Sequence, residues 1–247
     1  MKLLIDIGNT RLKWATWDGV RLHAGAASAH GGNVDFAALF TMTKQPAEVW
    51  IASVAATALD AELARFTREH WRVEPQFVRS SASACGVRNA YAQPERLGVD
   101  RFLGLVAAHT LHPGACVIAG CGTALTLDAL TADGTHLGGL IAPSPDLMRG
   151  ALLGNTARLG EIAAAAVVEI ATDTATAVTS GTWLAAAALV ERFVAQAAQR
   201  FGAAPGLLLS GGGAATLGRL LTLPYRADGE LVLRGLAIYA DRAAPIG

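Results

Sequence analysis

Apolar and polar positions along the chain change period several times, and each change predicts an element. Residues 3–7 are a short apolar run interrupted only by Asp6, and 11–17 alternate polar and apolar with a period of two, so the chain opens on two strands. Asp18-Gly19 is a turn dipeptide that predicts a hairpin into a third strand over 20–24. Helical periodicity over 35–43, a strand over 49–54, a helix over 59–71 and a strand over 75–78 follow. His112-Pro113-Gly114 then breaks a helix. The second half begins with a strand over 115–119, a glycine turn over 120–122, a strand over 124–130, the turn Ala132-Asp133-Gly134 and a strand over 135–141. An alanine-rich helix over 182–200, a strand over 207–209, a glycine turn over 210–213 and a helix over 233–240 complete the pattern.

Hairpins that precede strand–helix units suit a mixed sheet covered by helices. Both halves open on strand, glycine turn, strand and hairpin, which predicts a duplicated unit with a boundary at the Pro113/Gly114 break: residues 1–113 and 114–247. The 247 residues are 52% apolar and only 16% charged, enough for two buried cores. Lys plus Arg and Asp plus Glu number 20 each, so no net field favours nucleic acid or an anionic membrane, and the expected partners are small molecules. The opening apolar run meets Asp6 at once and other apolar runs are short of the roughly 20 residues a bilayer needs, so the expectation is a cytoplasmic protein without a leader or membrane span. Cys85, Cys116 and Cys121 have no CxxC spacing and read as reduced thiols. His109 and His112, near a helix end, have no third ligand in the pattern and read as exposed.

Three glycine turns carry candidate chemistry. In Asp6-Ile7-Gly8-Asn9-Thr10, a carboxylate at a strand end suits a hydrated Mg²⁺. Gly8 admits phosphate oxygens to the backbone, Asn9 and Thr10 add donors, and Lys13 adds charge. Gly120-Cys121-Gly122-Thr123-Ala124 occupies the corresponding place in the second half, and Ser210-Gly211-Gly212-Gly213 is a strand-to-helix turn whose helix start favours negative charge. Each alone is also an ordinary turn. GxGxxG and GxxxxGK[ST] spacings are absent, which excludes Rossmann and P-loop nucleotide sites.

The ordered set of three turns resembles the phosphate-1, phosphate-2 and adenosine motifs of the actin/Hsp70/sugar-kinase (ASKHA) superfamily. Within it, Tyr91-Ala92-Gln93-Pro94-Glu95-Arg96-Leu97-Gly98-Val99-Asp100-Arg101 resembles the signature Y-x-x-P-x-x-x-G-x-D-R of type III pantothenate kinases. Gly122-Thr123-Ala124 with Thr126, Gly138-Gly139 with Ile141 and Pro143, Asp173-Thr174 with Ser180-Gly181, Ser210-Gly211-Gly212 and residues 231–236 extend that likeness over essentially the whole chain. The resemblance implies an α/β fold of two ribonuclease H-like domains with mixed sheets flanked by helices. It also implies ATP-dependent phosphorylation of pantothenate, the first step toward coenzyme A, by a homodimer that uses Mg²⁺ and a monovalent cation, K⁺ or NH₄⁺.

By the same resemblance Asp6, Ile7, Gly8, Asn9, Thr10, Arg11, Leu12, Lys13, Gly122, Thr123, Gly211 and Gly212 contact ATP, with Asp6 reaching Mg²⁺ through water. Tyr91, Gly98, Val99, Asp100 and Arg101 form the pantothenate pocket, Asp100 is the catalytic base, and Thr174 reaches the neighbouring subunit's substrate. Without the resemblance, Asp100 and Arg101 also read as the charged start of a helix. Two positions depart from the family: Gly120 stands where an ion-holding Asp is usual, and Pro143-Ser144-Pro145 stands where Pro-Gly is usual. Ser144 is tolerable only if its backbone does not need positive φ. Alternatives are another ASKHA kinase or phosphatase, which would lack the run from Tyr91 to Arg101, or a regulatory protein that has lost catalysis, to which Gly120 gives weight.

Overall fold

The computed structural model describes residues 1–30, 34–36, 40, 44–155 and 165–243. Contacts divide the chain into two compact units. One comprises Met1–Pro113, Asp133–His136 and Glu230–Gly247, the other Gly114–Ala132 and Leu137–Gly229.

In the first unit a five-stranded sheet runs in the order β3-β2-β1-β4-β5. Its strands are β1 (Lys2–Ile7), β2 (Arg11–Trp17), β3 (Leu22–Ala29), β4 (Glu48–Ser53) and β5 (Gln76–Phe77). β1 pairs antiparallel with β2 and parallel with β4. The apolar run at 3–7 is explained by burial on both faces. Leu3, Ile5 and Ile7 pack with Leu59, Leu63 and Trp71 of helix α1 (Thr57–Trp71). Leu4, on the opposite face, packs with Val99 and Leu103 of α2 (Val99–Leu111) and with Leu233 and Leu236 of α6 (Leu231–Arg242). The alternation puts Asp6 on that second face, toward α2. Of the helix expected over 35–43, residues 37–39 and 41–43 lie outside the described residues, while Val34, Phe36 and Phe40 are buried in the α1-side core.

The second unit repeats the plan as β10-β9-β8-β11-β12. Here β8 (Cys116–Cys121) pairs antiparallel with β9 (Ala124–Leu130) and parallel with β11 (Gly206–Ser210). β10 spans His136–Pro143 and β12 Arg226–Ala227. Val117, Ala119, Cys121, Leu125, Leu127, Leu207 and Leu209 pack on α4 (Thr174–Phe201) and on Leu217 of α5 (Ala214–Leu220). The duplication expected from the sequence is thus a repeated strand order with a repeated hairpin. Asp6 pairs with Lys13 where Gly120 pairs with Thr126.

Several boundaries differ from expectation for local reasons. α4 begins at Thr174, ahead of its expected start at 182, because Asp173 caps it by accepting a hydrogen bond from the Thr176 N–H at 2.9 Å. Helix α3 (Pro145–Asn155) was not expected from periodicity. Ser144 starts it, its hydroxyl accepting from the Leu147 N–H at 3.2 Å with Pro145 as first helical residue. A small hairpin of β6 (Ser83–Ala84) and β7 (Val87–Arg88) was likewise unexpected. Ser144 is absent from the described non-glycine residues with positive φ, Arg72 and Cys85, so the departure from Pro-Gly leaves the backbone unstrained there. All three cysteines are unpaired. Burial pushes the Cys116 thiol up to about 12 and, with the charge of Asp146, the Cys121 thiol up to about 11, so both are inert. His109 and His112 are half-buried rather than exposed, and the His109 ring lies against the turn at Gly86.

Candidate active site

The β1–β2 connection is a tight turn closed by the Gly8 N–H donating to Arg11 O at 2.9 Å. Asn9, Thr10 and Arg11 are exposed in it, whereas Ile7 and Leu12 are fully buried in the core and can offer a ligand only their main chain. A residue missed in the sequence, His30, holds the turn. Its backbone N–H donates to Thr10 O at 2.9 Å, and its Nε2 lies 3.0 Å from Gly8 O. A carbonyl only accepts, so Nε2 carries the proton. No pattern marked His30, because its role depends on β3 running alongside β2.

Asp6, half-buried at the end of β1, has its carboxyl pushed up to about 7. Burial is the main cause and the charge of Asp100 adds to it, with Lys13 opposing. Two carboxylates from β1 and α2 therefore act on each other within one unit. Such a pair gains from a divalent cation, which neutralises both.

Asp100 lies in the first turn of α2, where its Oδ1 accepts from the Arg101 N–H at 2.9 Å. Gly98 precedes the helix, and a Cβ there would stand 2.6 Å from Asp100 Oδ1. The carboxylate occupies the space a side chain would need, which explains glycine two residues before the acid. Arg101 is 8% exposed, yet its guanidinium has clear work. Nη1 donates to Tyr91 Oη at 3.0 Å, and Cζ lies 5.8 Å from the Tyr91 ring centroid. Asn89, also missed in the sequence, shapes the approach to Tyr91. Its Oδ1 accepts from the Tyr91 N–H at 3.0 Å and its Nδ2 donates to Pro94 O at 3.1 Å. Val99 is buried in the core beside α6 and serves the site by anchoring the helix.

In the second unit Gly122 and Thr123 are exposed at the β8–β9 turn, closed by the Gly122 N–H donating to Ala124 O at 2.9 Å. The turn containing Gly211 and Gly212 lies against it, with the Gly213 N–H donating to Cys121 O at 2.9 Å. Gly211 has φ +90 and a Cβ there would be 2.4 Å from Cys121 O, so only glycine allows this approach. Two of the three predicted nucleotide turns thus meet in one corner of this unit. Thr174 is exposed at the start of α4. At Gly120 there is no carboxylate, and an added Cβ would lie 2.7 Å from Thr126 Oγ1. Asp128, pairing with Ile118, shares the β9 face with Thr126, away from α4.

The family profile for type III pantothenate kinase matches residues 2–196. A type III pantothenate kinase of Xanthomonas campestris pv. campestris (strain B100) is 43% identical over 242 residues, covering 98% of each chain. One from Aromatoleum aromaticum is 40% identical over 244 residues, covering 99% of each. Among solved structures, a conserved protein of the Baf family from Campylobacter jejuni aligns with a TM-score of 0.60 at 19% identity, over 97% of this chain and 98% of that one. The ethanolamine utilization protein EutJ from Carboxydothermus hydrogenoformans aligns with a TM-score of 0.54 at 12% identity, over 96% and 89%. At those identities the structures speak to fold alone, an α/β fold with mixed sheets like the one described above. With the signature from Tyr91 to Arg101 organised around the start of α2 and close relatives matched end to end, this chain belongs to the type III pantothenate kinase family.

Proposed function

We propose that this protein transfers the γ-phosphoryl group of ATP to the terminal hydroxyl of pantothenate, the first step of coenzyme A synthesis. The observation that carries the proposal is the Tyr91–Asp100–Arg101 constellation, with Asp6 electrostatically coupled to Asp100. Phosphoryl transfer passes through a loose transition state, so the protein's contribution is placement and charge stabilisation. Asp100 accepts the proton of the attacking hydroxyl, worth about 10²–10⁴-fold in rate. Arg101 and Tyr91 hold the acceptor, with Gly98 leaving room for the Asp100 carboxylate. The residues from Asp6 to Lys13 bind ATP phosphates through the Gly8 backbone, the Asn9 and Thr10 side chains and the charges of Arg11 and Lys13. Gly122, Thr123, Gly211 and Gly212, by the family resemblance, are assigned to ATP binding in their own unit. Each unit is read as a ribonuclease H-like domain.

Asp6 suits a hydrated Mg²⁺, because a cation relieves its repulsion with Asp100. When bound, that ion neutralises charge on the triphosphate. The residues around Gly120 fit a monovalent cation less well. The usual carboxylate is missing there and Thr126 fills its space, so no step is routed through K⁺ or NH₄⁺. The protein is assigned to the cytoplasm as a homodimer in which Thr174 contacts the partner subunit's substrate. No helix among the described residues is long and apolar enough to cross a membrane.

Gly120 also favours a second reading, a family member that has lost catalysis. A coupled assay of ADP release with and without pantothenate, in potassium, ammonium and sodium salts, decides between them. Pantothenate-dependent release supports the kinase, whereas ATP turnover indifferent to pantothenate, or none at all, rejects it.

A further inference from the structure

His136 opens β10, belongs to the first unit with Tyr91, and is 1% exposed. Its imidazole lies nearly parallel to the Tyr91 ring, with centroids 6.2 Å apart and planes at 18°. His136 Nδ1 is 3.4 Å from the Ala90 N–H, the residue before Tyr91. The segment carrying His136 is clamped in place. The Arg88 N–H donates to Gly134 O at 2.8 Å, and Arg88 Nη2 reaches Asp133 Oδ2 at 2.6 Å and the Thr135 hydroxyl. Gly134 has φ +81, and a Cβ there would sit 2.1 Å from Gly86 O, so the two backbones touch. Residues 133–136 are therefore docked onto the strand that leads into Tyr91, and the docking ends with a buried aromatic ring against the tyrosine.

The first side-chain torsion of Tyr91 decides whether its hydroxyl meets Arg101 Nη1, and the second turns the ring plane that faces the Arg101 guanidinium and His136. The main-chain bond to Asn89 sets where Tyr91 begins but not where its ring points. We propose that His136 is a positioning residue for the acceptor pocket. It stacks on Tyr91 and keeps the phenol in register with Arg101, so that the pocket is already formed when pantothenate arrives. This rests on the assignment of Tyr91 and Arg101 to pantothenate and adds a determinant from a segment distant in sequence from the signature.

The test is steady-state kinetics of the full-length protein carrying His136→Ala, His136→Leu and His136→Phe, with thermal midpoints measured alongside. Loss of the stack raises the pantothenate KM, with kcat/KM for pantothenate falling roughly 10- to 100-fold, while the KM for ATP stays within about twofold. His136→Phe, which keeps an aromatic plane, restores most of that loss. His136→Leu carries the same test if the smaller alanine does not fold. An unchanged pantothenate KM in a folded alanine or leucine variant overturns the proposal. So does a parallel loss in both substrates that tracks the thermal midpoint, which marks a purely structural role. Failure of the underlying reading looks different, because wild-type ADP release would then be independent of pantothenate, and the assignment of His136 to that pocket would fall with it.

Discussion

Asp6 sits where burial and the charge of Asp100 both oppose its ionisation, and its carboxyl is pushed up to about 7. A carboxyl raised in the folded state binds a proton there that the unfolded chain has released. Its contribution to stability is full below about 4, is lost as pH rises toward 7, and is flat above that, with a slope of up to roughly 1.4 kcal/mol per pH unit. In metal-free buffer Asp6→Asn should therefore gain stability relative to wild type between pH 5 and pH 7 and gain no more above, as read by urea denaturation at each pH. A constant difference across that range would contradict the raised value. For Asp100 the expectation is kinetic. Asp100→Asn should keep fold and nucleotide affinity while kcat drops about 10²–10⁴-fold. Near-normal turnover in that variant removes Asp100 from the role of base.

Elements come together here through backbone approaches that side-chain patterns do not announce. α6 crosses α2 so closely that a Cβ on Gly235 would lie 2.0 Å from Leu103 O. Lys2 Nζ ties the end of α6 to β1, donating to Ala240 O at 2.6 Å and pairing with Asp241 at 3.1 Å. Gly235→Ala must push α6 off α2 and should cost about 1–3 kcal/mol, measured by thermal or denaturant unfolding. Because α2 carries Asp100 and Arg101, the pantothenate KM should rise as well. The β8–β9 hairpin offers a converse experiment. Gly120→Asp restores the carboxylate at the position equivalent to Asp6, though Thr126 Oγ1 stands 2.7 Å from the new Cβ and must turn aside. Turnover by that variant should respond to replacing K⁺ with Na⁺ more strongly than wild-type turnover does, with Gly120→Ala reporting the cost of crowding alone. Equal responses in all three would remove residue 120 from any cation site.

At the scale of the whole molecule, the proposed dimer makes each acceptor site a joint product of Asp100 in one subunit and Thr174 in the other. Mixing refolded Asp100→Asn and Thr174→Ala chains at sub-saturating pantothenate should then recover roughly a quarter of wild-type turnover, since half the dimers are mixed and each holds one intact site. Activity no greater than the sum of the separate variants would count against sharing. The sequence by itself determined the longer strands, the glycine turns and the signature from Tyr91 to Arg101, because two-residue alternation, turn chemistry and short motifs are local. It also carried the duplication, since each half spells the same hairpin before its helices. It did not reveal α3, whose Ser-Pro start lay inside a segment read only for its departure from the family. Nor did it reveal that α6 returns to the first unit or that residues 133–136 dock beside Tyr91. Those placements depend on contacts such as Gly235 against Leu103 and His136 against Tyr91, between residues more than forty positions apart. No periodicity records such contacts, so only the tertiary structure decided which distant side chains support the site.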